Sequence, residues 1–127
     1  MPPTFLSRST QTKTTAYTVT LADSGTVVNV NTAAAVTLPA AGAATAGLFV
    51  TIRNNGPNNG DSLPTITPAA ADAVNGLGVV AAVSKGLQQT ALGGARVGDE
   101  VTLYCTGVTG SGAWTVTNAV GVWTRQP

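Results

Sequence analysis

Tyr17-Thr18-Val19-Thr20-Leu21-Ala22-Asp23-Ser24-Gly25-Thr26-Val27-Val28-Asn29-Val30-Asn31 is the stretch that decides the fold. Tyr17, Val19 and Leu21 alternate with Thr18 and Thr20, the period-two pattern of a strand with one face on a core. Asp23-Ser24-Gly25 breaks the pattern with turn residues, and Thr26 to Asn31 resumes it with β-branched Thr26, Val27, Val28 and Val30. The same cycle of short apolar strand and polar turn returns along the chain as far as Gly112-Ala113-Trp114, so the reading is all-β.

Outward from that stretch, Val36-Thr37-Leu38 runs into Pro39, which ends or edges a strand. Ala40 to Ala46 is alanine-rich but broken by glycine and reads as a loop or a short helical turn. Leu48 to Arg53 is the most apolar strand, closed by Asn54-Asn55-Gly56, and Asn58-Asn59-Gly60-Asp61 is turn chemistry at a loop tip. Thr65-Ile66-Thr67 lies between Pro64 and Pro68, which predicts an edge strand. Val79 to Ser84 and Leu87 to Leu92 flank Lys85-Gly86 as a hairpin. Glu100 to Thr106, Trp114 to Thr117 and Val120 to Thr124 complete the set. Roughly eight to ten short strands predict a compact β-sandwich or barrel-like module of short antiparallel strands. The expected organisation is an extended N-terminal arm over residues 1–15 and one β domain over 16–127.

The chain has 127 residues and a formal net charge of +1. Only 9% of its residues are charged, against about 25% in an ordinary soluble domain. With so small a net charge there is no field to gather nucleic acid or anionic lipid, so neither is expected as a partner. A surface this poor in charge does predict association, and a stable oligomer is expected. Met1 to Ala16 lacks the apolar core of a secretory signal, and no run approaches the ~18 apolar residues of a membrane span. A soluble product made in the cytoplasm is expected.

Candidate chemistry is sparse. There is no histidine and a single cysteine, Cys105, which alternation places on the face of Val101 and Leu103 as a buried structural thiol. Asp99 and Glu100 are adjacent, but neighbours on a strand point to opposite faces and cannot act together as acid and base. Asp23, Asp61 and Asp72 are read as turn residues, where a carboxylate usually caps backbone N–H groups. Gly76-Leu77-Gly78-Val79-Val80-Ala81 matches a dinucleotide fingerprint without its strand and helix context. No catalytic, cofactor-binding or metal-binding residues are assigned, and the chain is read as a non-enzyme.

The arm holds two prolines, a Ser/Thr/Gln tract, Arg8 and Lys13, and no acid. It is read as a segment that orders along a partner, with Phe5 and Leu6 as anchors and Arg8 and Lys13 as charge contacts. Tyr17, Phe49, Trp114 and Trp123 are assigned to packing in the core or between subunits.

The succession Tyr17 to Gly25, then Ala35-Val36-Thr37-Leu38-Pro39-Ala40, Gly47 to Ile52, Ile66-Thr67-Pro68, Val74-Asn75-Gly76 and Gly98 to Leu103 ending at Trp114, resembles a β module of tailed bacteriophages. That module recurs in capsid decoration (cement) proteins and in tail-fibre or tailspike head domains. The resemblance implies a trimeric β protein of the virion. Its two roles differ in what surrounds the module, because a fibre adds a long shaft, and the short flanks here favour decoration. The expectation is a homotrimer on the outer surface of the head that bridges major capsid proteins. A receptor-binding tail-fibre or tailspike-type domain is the alternative.

Overall fold

A computed structural model describes residues 9–31, 34–56, 64–78, 82–90 and 95–127. The described chain is almost entirely β, arranged as two sheets packed on one core. The strands are β1 (Thr10–Lys13), β2 (Tyr17–Thr18), β3 (Val27–Val30), β4 (Ala35–Thr37), β5 (Phe49–Asn54), β6 (Thr65–Thr67), β7 (Val74–Asn75), β8 (Leu87–Gln88), β9 (Glu100–Cys105), β10 (Trp114–Val120) and β11 (Thr124–Arg125). A six-stranded sheet has the order β1-β3-β5-β9-β10-β7, and a five-stranded sheet the order β11-β8-β6-β4-β2.

The first six strands alternate strictly between the sheets, the odd ones in the first and the even ones in the second. A chain that crosses to the facing sheet and back returns pointing the way it left. So β1, β3 and β5 pair in parallel, as do β2, β4 and β6. The sheets are therefore mixed, and antiparallel pairing is confined to β5–β9, β9–β10, β6–β8 and β8–β11. Turn residues such as Asp23-Ser24-Gly25 dictate a reversal of direction. They do not dictate whether the returning strand lies beside its predecessor or across the core from it.

Several local expectations change for related reasons. The strand from Tyr17 stops at Thr18, and Leu21–Asp23 form a 3₁₀ turn. β6 is an interior strand between β4 and β8, not an edge. Pro64 and Pro68 flank its paired residues, so the missing N–H groups fall outside the ladder, and the Pro64 carbonyl accepts the Gln89 N–H at 3.1 Å. No hairpin joins Ser84 to Leu87: residues 82–86 form a turn closed by Lys85 N–H to the Ala82 carbonyl, and β8 pairs with β6 and β11. Residues 79–81 and 91–94 of that expected hairpin lie outside the described residues. Val120 ends β10, and the final strand is only Thr124–Arg125. Thr10–Lys13, assigned to the arm from the sequence, is a strand of the body, in register with Val27–Val30.

Inward-facing residues fuse the sheets. Val28, Val30, Val50, Ile52, Val101, Leu103, Cys105 and Trp114 come from the first sheet, and Val36, Ile66 and Leu87 from the second. Val19, Leu38 and Trp123 close the sides from the connections. Each large side chain so buried stabilises the fold by about 1.5–3 kcal/mol.

Contact between β6 and β8 is tight at Gly86. A Cβ there would lie 1.8 Å from the Ile66 carbonyl oxygen, while Gly86 exchanges hydrogen bonds with Gln126 at 2.8 and 3.0 Å. Backbone must therefore move to admit any side chain. Gly86→Ala is expected to lower stability by about 1–3 kcal/mol, whereas Gly42→Ala, where a Cβ meets nothing within 4 Å, changes it by less than about 0.5 kcal/mol. Paired urea melts check both; equal stability of the two variants would contradict the packing at β6–β8.

Candidate interaction surface

Alternation along the strands of the six-stranded sheet turns one set of side chains into the core and the other outward. Register aligns the outward set in three rows. Phe49, Tyr104, Thr115 and Asn75 form the first. Thr10, Val27, Thr51, Thr102 and Asn118 form the second, beside a bulge between Val116 and Asn118. Thr12, Asn29, Arg53, Glu100 and Val120 form the third.

Phe49 and Tyr104 are directly opposed across β5 and β9, and both stand in the open, at 46% and 41% exposure. The middle row is closed by contrast: Val27 and Thr51 are buried, and the Thr51 and Thr102 hydroxyls bond to each other at 2.8 Å. Across the second and third rows lies a shallow groove of about 460 Å³, lined by Thr10, Val27, Asn29, Arg53, Gly98, Glu100 and Val120. The Asn29 Oδ1 in it is buried and accepts no hydrogen bond. The five-stranded sheet presents a different exterior, with Thr18, Thr37 and Thr67 in one row and Ala35, Thr65, Gln88 and Thr124 in the next. Among the described residues, no large apolar side chain stands in those two rows.

Three of the acids are consumed inside the fold. Asp72, fully buried, accepts the Ala41 and Gly110 N–H groups at 2.8 and 3.1 Å and so ties two loops together. Asp99 accepts the Arg96 N–H at 2.9 Å and the Gln89 amide at 2.8 Å. Gln89 in turn accepts from Asn54 at 2.8 Å, so a buried polar chain runs from β5 to the strand end after β8. Asp23 accepts the Gln11 amide at 2.5 Å, the Tyr17 hydroxyl at 2.6 Å and the Thr20 N–H at 2.8 Å. Glu100 alone among the described acids is not buried, whereas Lys13, Arg53, Lys85, Arg96 and Arg125 are all half-buried or exposed. Among the described residues, therefore, the charged groups outside the core are mainly cationic, although the net charge of the chain is only +1.

Among the described residues no three His, Cys, Asp or Glu side chains gather as metal ligands, and no helix is long and apolar enough to cross a membrane. Cys105 is buried, its Sγ 3.6 Å from the Thr45 hydroxyl.

Of the residues singled out in the sequence, Phe5, Leu6 and Arg8 lie outside the described residues, as does Asp61. Lys13 is held on the body, its Nζ 4.0 Å above the Tyr17 ring. Tyr17 packs against the core from the edge. Trp114 is fully buried, and Trp123 is buried with its indole N–H donated to the Val120 carbonyl at 3.1 Å. Phe49 is not a core residue; its neighbour Val50 takes the inward position and leaves the ring outside. Tyr104 was legible by the alternation that buries Val101, Leu103 and Cys105, since the residue between two inward positions must face out. No family model, curated protein or solved structure matches the chain.

The Gln11–Asp23–Tyr17 cluster carries a pH signature. Burial by itself pushes the Asp23 carboxyl up, but the hydrogen bonds from Tyr17, Thr20 and Gln11 outweigh it and hold the group below its usual range. Burial, followed by the bond to Asp23 and its charge, pushes the Tyr17 hydroxyl up. A depressed carboxyl stabilises the fold above its unfolded value and loses that contribution as pH falls through its folded value. Stability is thus expected to fall from about pH 4 downward, and Asp23→Asn to lose about 1–3 kcal/mol at neutral pH with a flatter acid limb. Urea melts of both proteins across the acid range measure this; parallel acid limbs would remove Asp23 from the account.

Proposed function

We propose that this chain is a non-catalytic structural protein of a tailed-phage virion, a capsid decoration (cement) protein that binds the outer head as a homotrimer and bridges major capsid proteins. The observation that carries the reading is the division of labour in the body. Asp23, Asp72 and Asp99 are spent on holding loops and strand ends together, while Phe49, Tyr104, Val108 and Val120 stand exposed as contact material. The resemblance of the strand-and-turn succession to the phage module supports the same reading.

The mechanism is additive contact. Three copies of a weak contact held on one rigid trimer act at high effective concentration, so the second and third engage far more readily than the first. Binding only to the assembled shell then stabilises it by mass action. Phe5, Leu6 and Arg8, which lead into β1, are the proposed capsid contacts. Lys13 contributes less than the sequence suggested, because its ammonium is engaged over Tyr17.

The exposed Phe49–Tyr104 pair favours a second reading, a receptor-binding tail domain, since neighbouring aromatic rings offer a stacking platform for a sugar. Co-sedimentation with heads stripped of this protein separates the two. Saturable binding in multiples of three is expected, with heads surviving higher temperature once coated and affinity falling at least tenfold on deletion of Met1 to Arg8. Protein that ignores heads but labels the fibre tips in immunogold images would establish the second reading instead.

A further inference from the structure

We propose that β1 is a releasable strap: it leaves the body as a unit while both sheets stay folded, and the Asp23 carboxylate is the latch that protonation opens. Release leaves Val27–Val30 of β3 as the new edge of the six-stranded sheet.

Apolar burial does not hold this strand. From Ser9 to Ala16 no residue is buried, and Thr10, Gln11, Thr12 and Lys13 add nothing to the apolar core. The other sheet edges differ: β2 and β7 set Tyr17 and Val74 against the core, and β11 follows the buried Trp123 directly. β1 has β3 as its single neighbour in the sheet. The ladder between them includes the Val27 N–H donated to the Ser9 carbonyl at 2.8 Å and the Asn31 N–H donated to the Lys13 carbonyl at 3.0 Å. On its other side β3 pairs with β5, and Val28 and Val30 are fully buried, so β3 keeps its place when β1 departs. A segment with exposed hydrogen bonds and little apolar burial opens before the body unfolds.

Side chains fasten the strand at one point. Gln11 donates from β1 to the Asp23 carboxylate at 2.5 Å. Lys13 sets its ammonium 4.0 Å from the centre of the Tyr17 ring, whose hydroxyl is donated to the same carboxylate at 2.6 Å. Both attachments therefore converge on Asp23, Gln11 directly and Lys13 through Tyr17. A hydrogen bond to an ionised acceptor is about twice as strong as a neutral one, so protonating Asp23 weakens the Gln11 attachment and leaves the backbone ladder as it was.

The groups acting on the carboxyl are Tyr17 from β2, Thr20 from the connection after it and Gln11 from β1. Of these only Tyr17 titrates, and neither tyrosine nor lysine changes charge in acid. Together their hydrogen bonds hold the carboxyl below its usual range. The latch is thus fully engaged well above the ordinary carboxylate value of about 3.9 and is lost as pH falls through the lower folded value.

Native-state hydrogen exchange of the full chain tests this, because β3 supplies its own control. Val27 and Asn31 donate toward β1, whereas Thr51 and Asn55 donate from the opposite side to the Thr26 and Val30 carbonyls. Val27 and Asn31 are expected to show protection about tenfold or more below that of Thr51 and Asn55, and almost insensitive to low urea, the mark of a local opening. Gln11→Ala is expected to lower their protection by about tenfold at pH 6, the worth of one hydrogen bond to a charged group. It should also abolish the fall in protection that wild type shows from about pH 4 downward. Trypsin cleavage after Lys13 at neutral pH is expected to quicken by about the same factor in Gln11→Ala. Equal protection and equal urea dependence on the two sides of β3 would show that β1 opens only with the whole body and would overturn the proposal. Unchanged protection in Gln11→Ala, or the same acid dependence in both proteins, would remove Asp23 as the latch.

Discussion

Strict alternation of the first six strands between two sheets is the constraint on which the rest of the structure depends. Each strand from β1 to β4 is bonded to the strand two ahead of it, never to the one that follows. Among these six strands, every connection between neighbours of one sheet passes through the other. The apolar residues of both sheets are therefore committed to a single core, with Val28, Val50 and Ile52 on one side and Val36 and Ile66 on the other. The antiparallel β9–β10 hairpin then extends the first sheet and brings Trp114, the largest fully buried side chain, into the core.

Corners that cross from sheet to sheet leave backbone groups needing partners, and the buried acids answer that need. Asp72 joins the segment at Ala41 to the one at Gly110, and Asp99 with Gln89 and Asn54 links the end of β5 to the approach to β9. Gln11 on the edge strand β1, together with Tyr17 and Thr20, closes on Asp23. Buried charges are tolerated only when hydrogen-bonded, and here each one is. Spending the acids in this way changes the exterior as well. The sequence total suggests near neutrality, yet among the described residues the few charged groups outside the core are lysine and arginine except for Glu100, beside Arg53 on the six-stranded face.

That face and the threonine-rich face opposite it make the body two-sided. One side carries aromatic rings, a groove and balanced charge, and the other carries small polar side chains spaced by the strand ladder.

Much of this was readable from local pattern. Alternation and β-branched runs determined that the chain is all-β, where most strands lie, that Cys105 is buried with Val101 and Leu103, and that Asp99 and Glu100 face opposite ways. Turn chemistry determined that Asp23 and Asp72 cap backbone groups. Tertiary structure alone decided that consecutive strands face each other across the core, that β6 is interior despite its flanking prolines, and that Thr10–Lys13 belongs to the body. It also decided that Phe49 lies outside beside Tyr104. The physical reason is that periodicity and turn residues act over a few residues and fix only which face of a strand is apolar and where the chain reverses. Which strand supplies the partner for that face, across distances of 17 residues between Thr10 and Val27 or 24 between Val27 and Thr51, is chosen by the packing of the whole core.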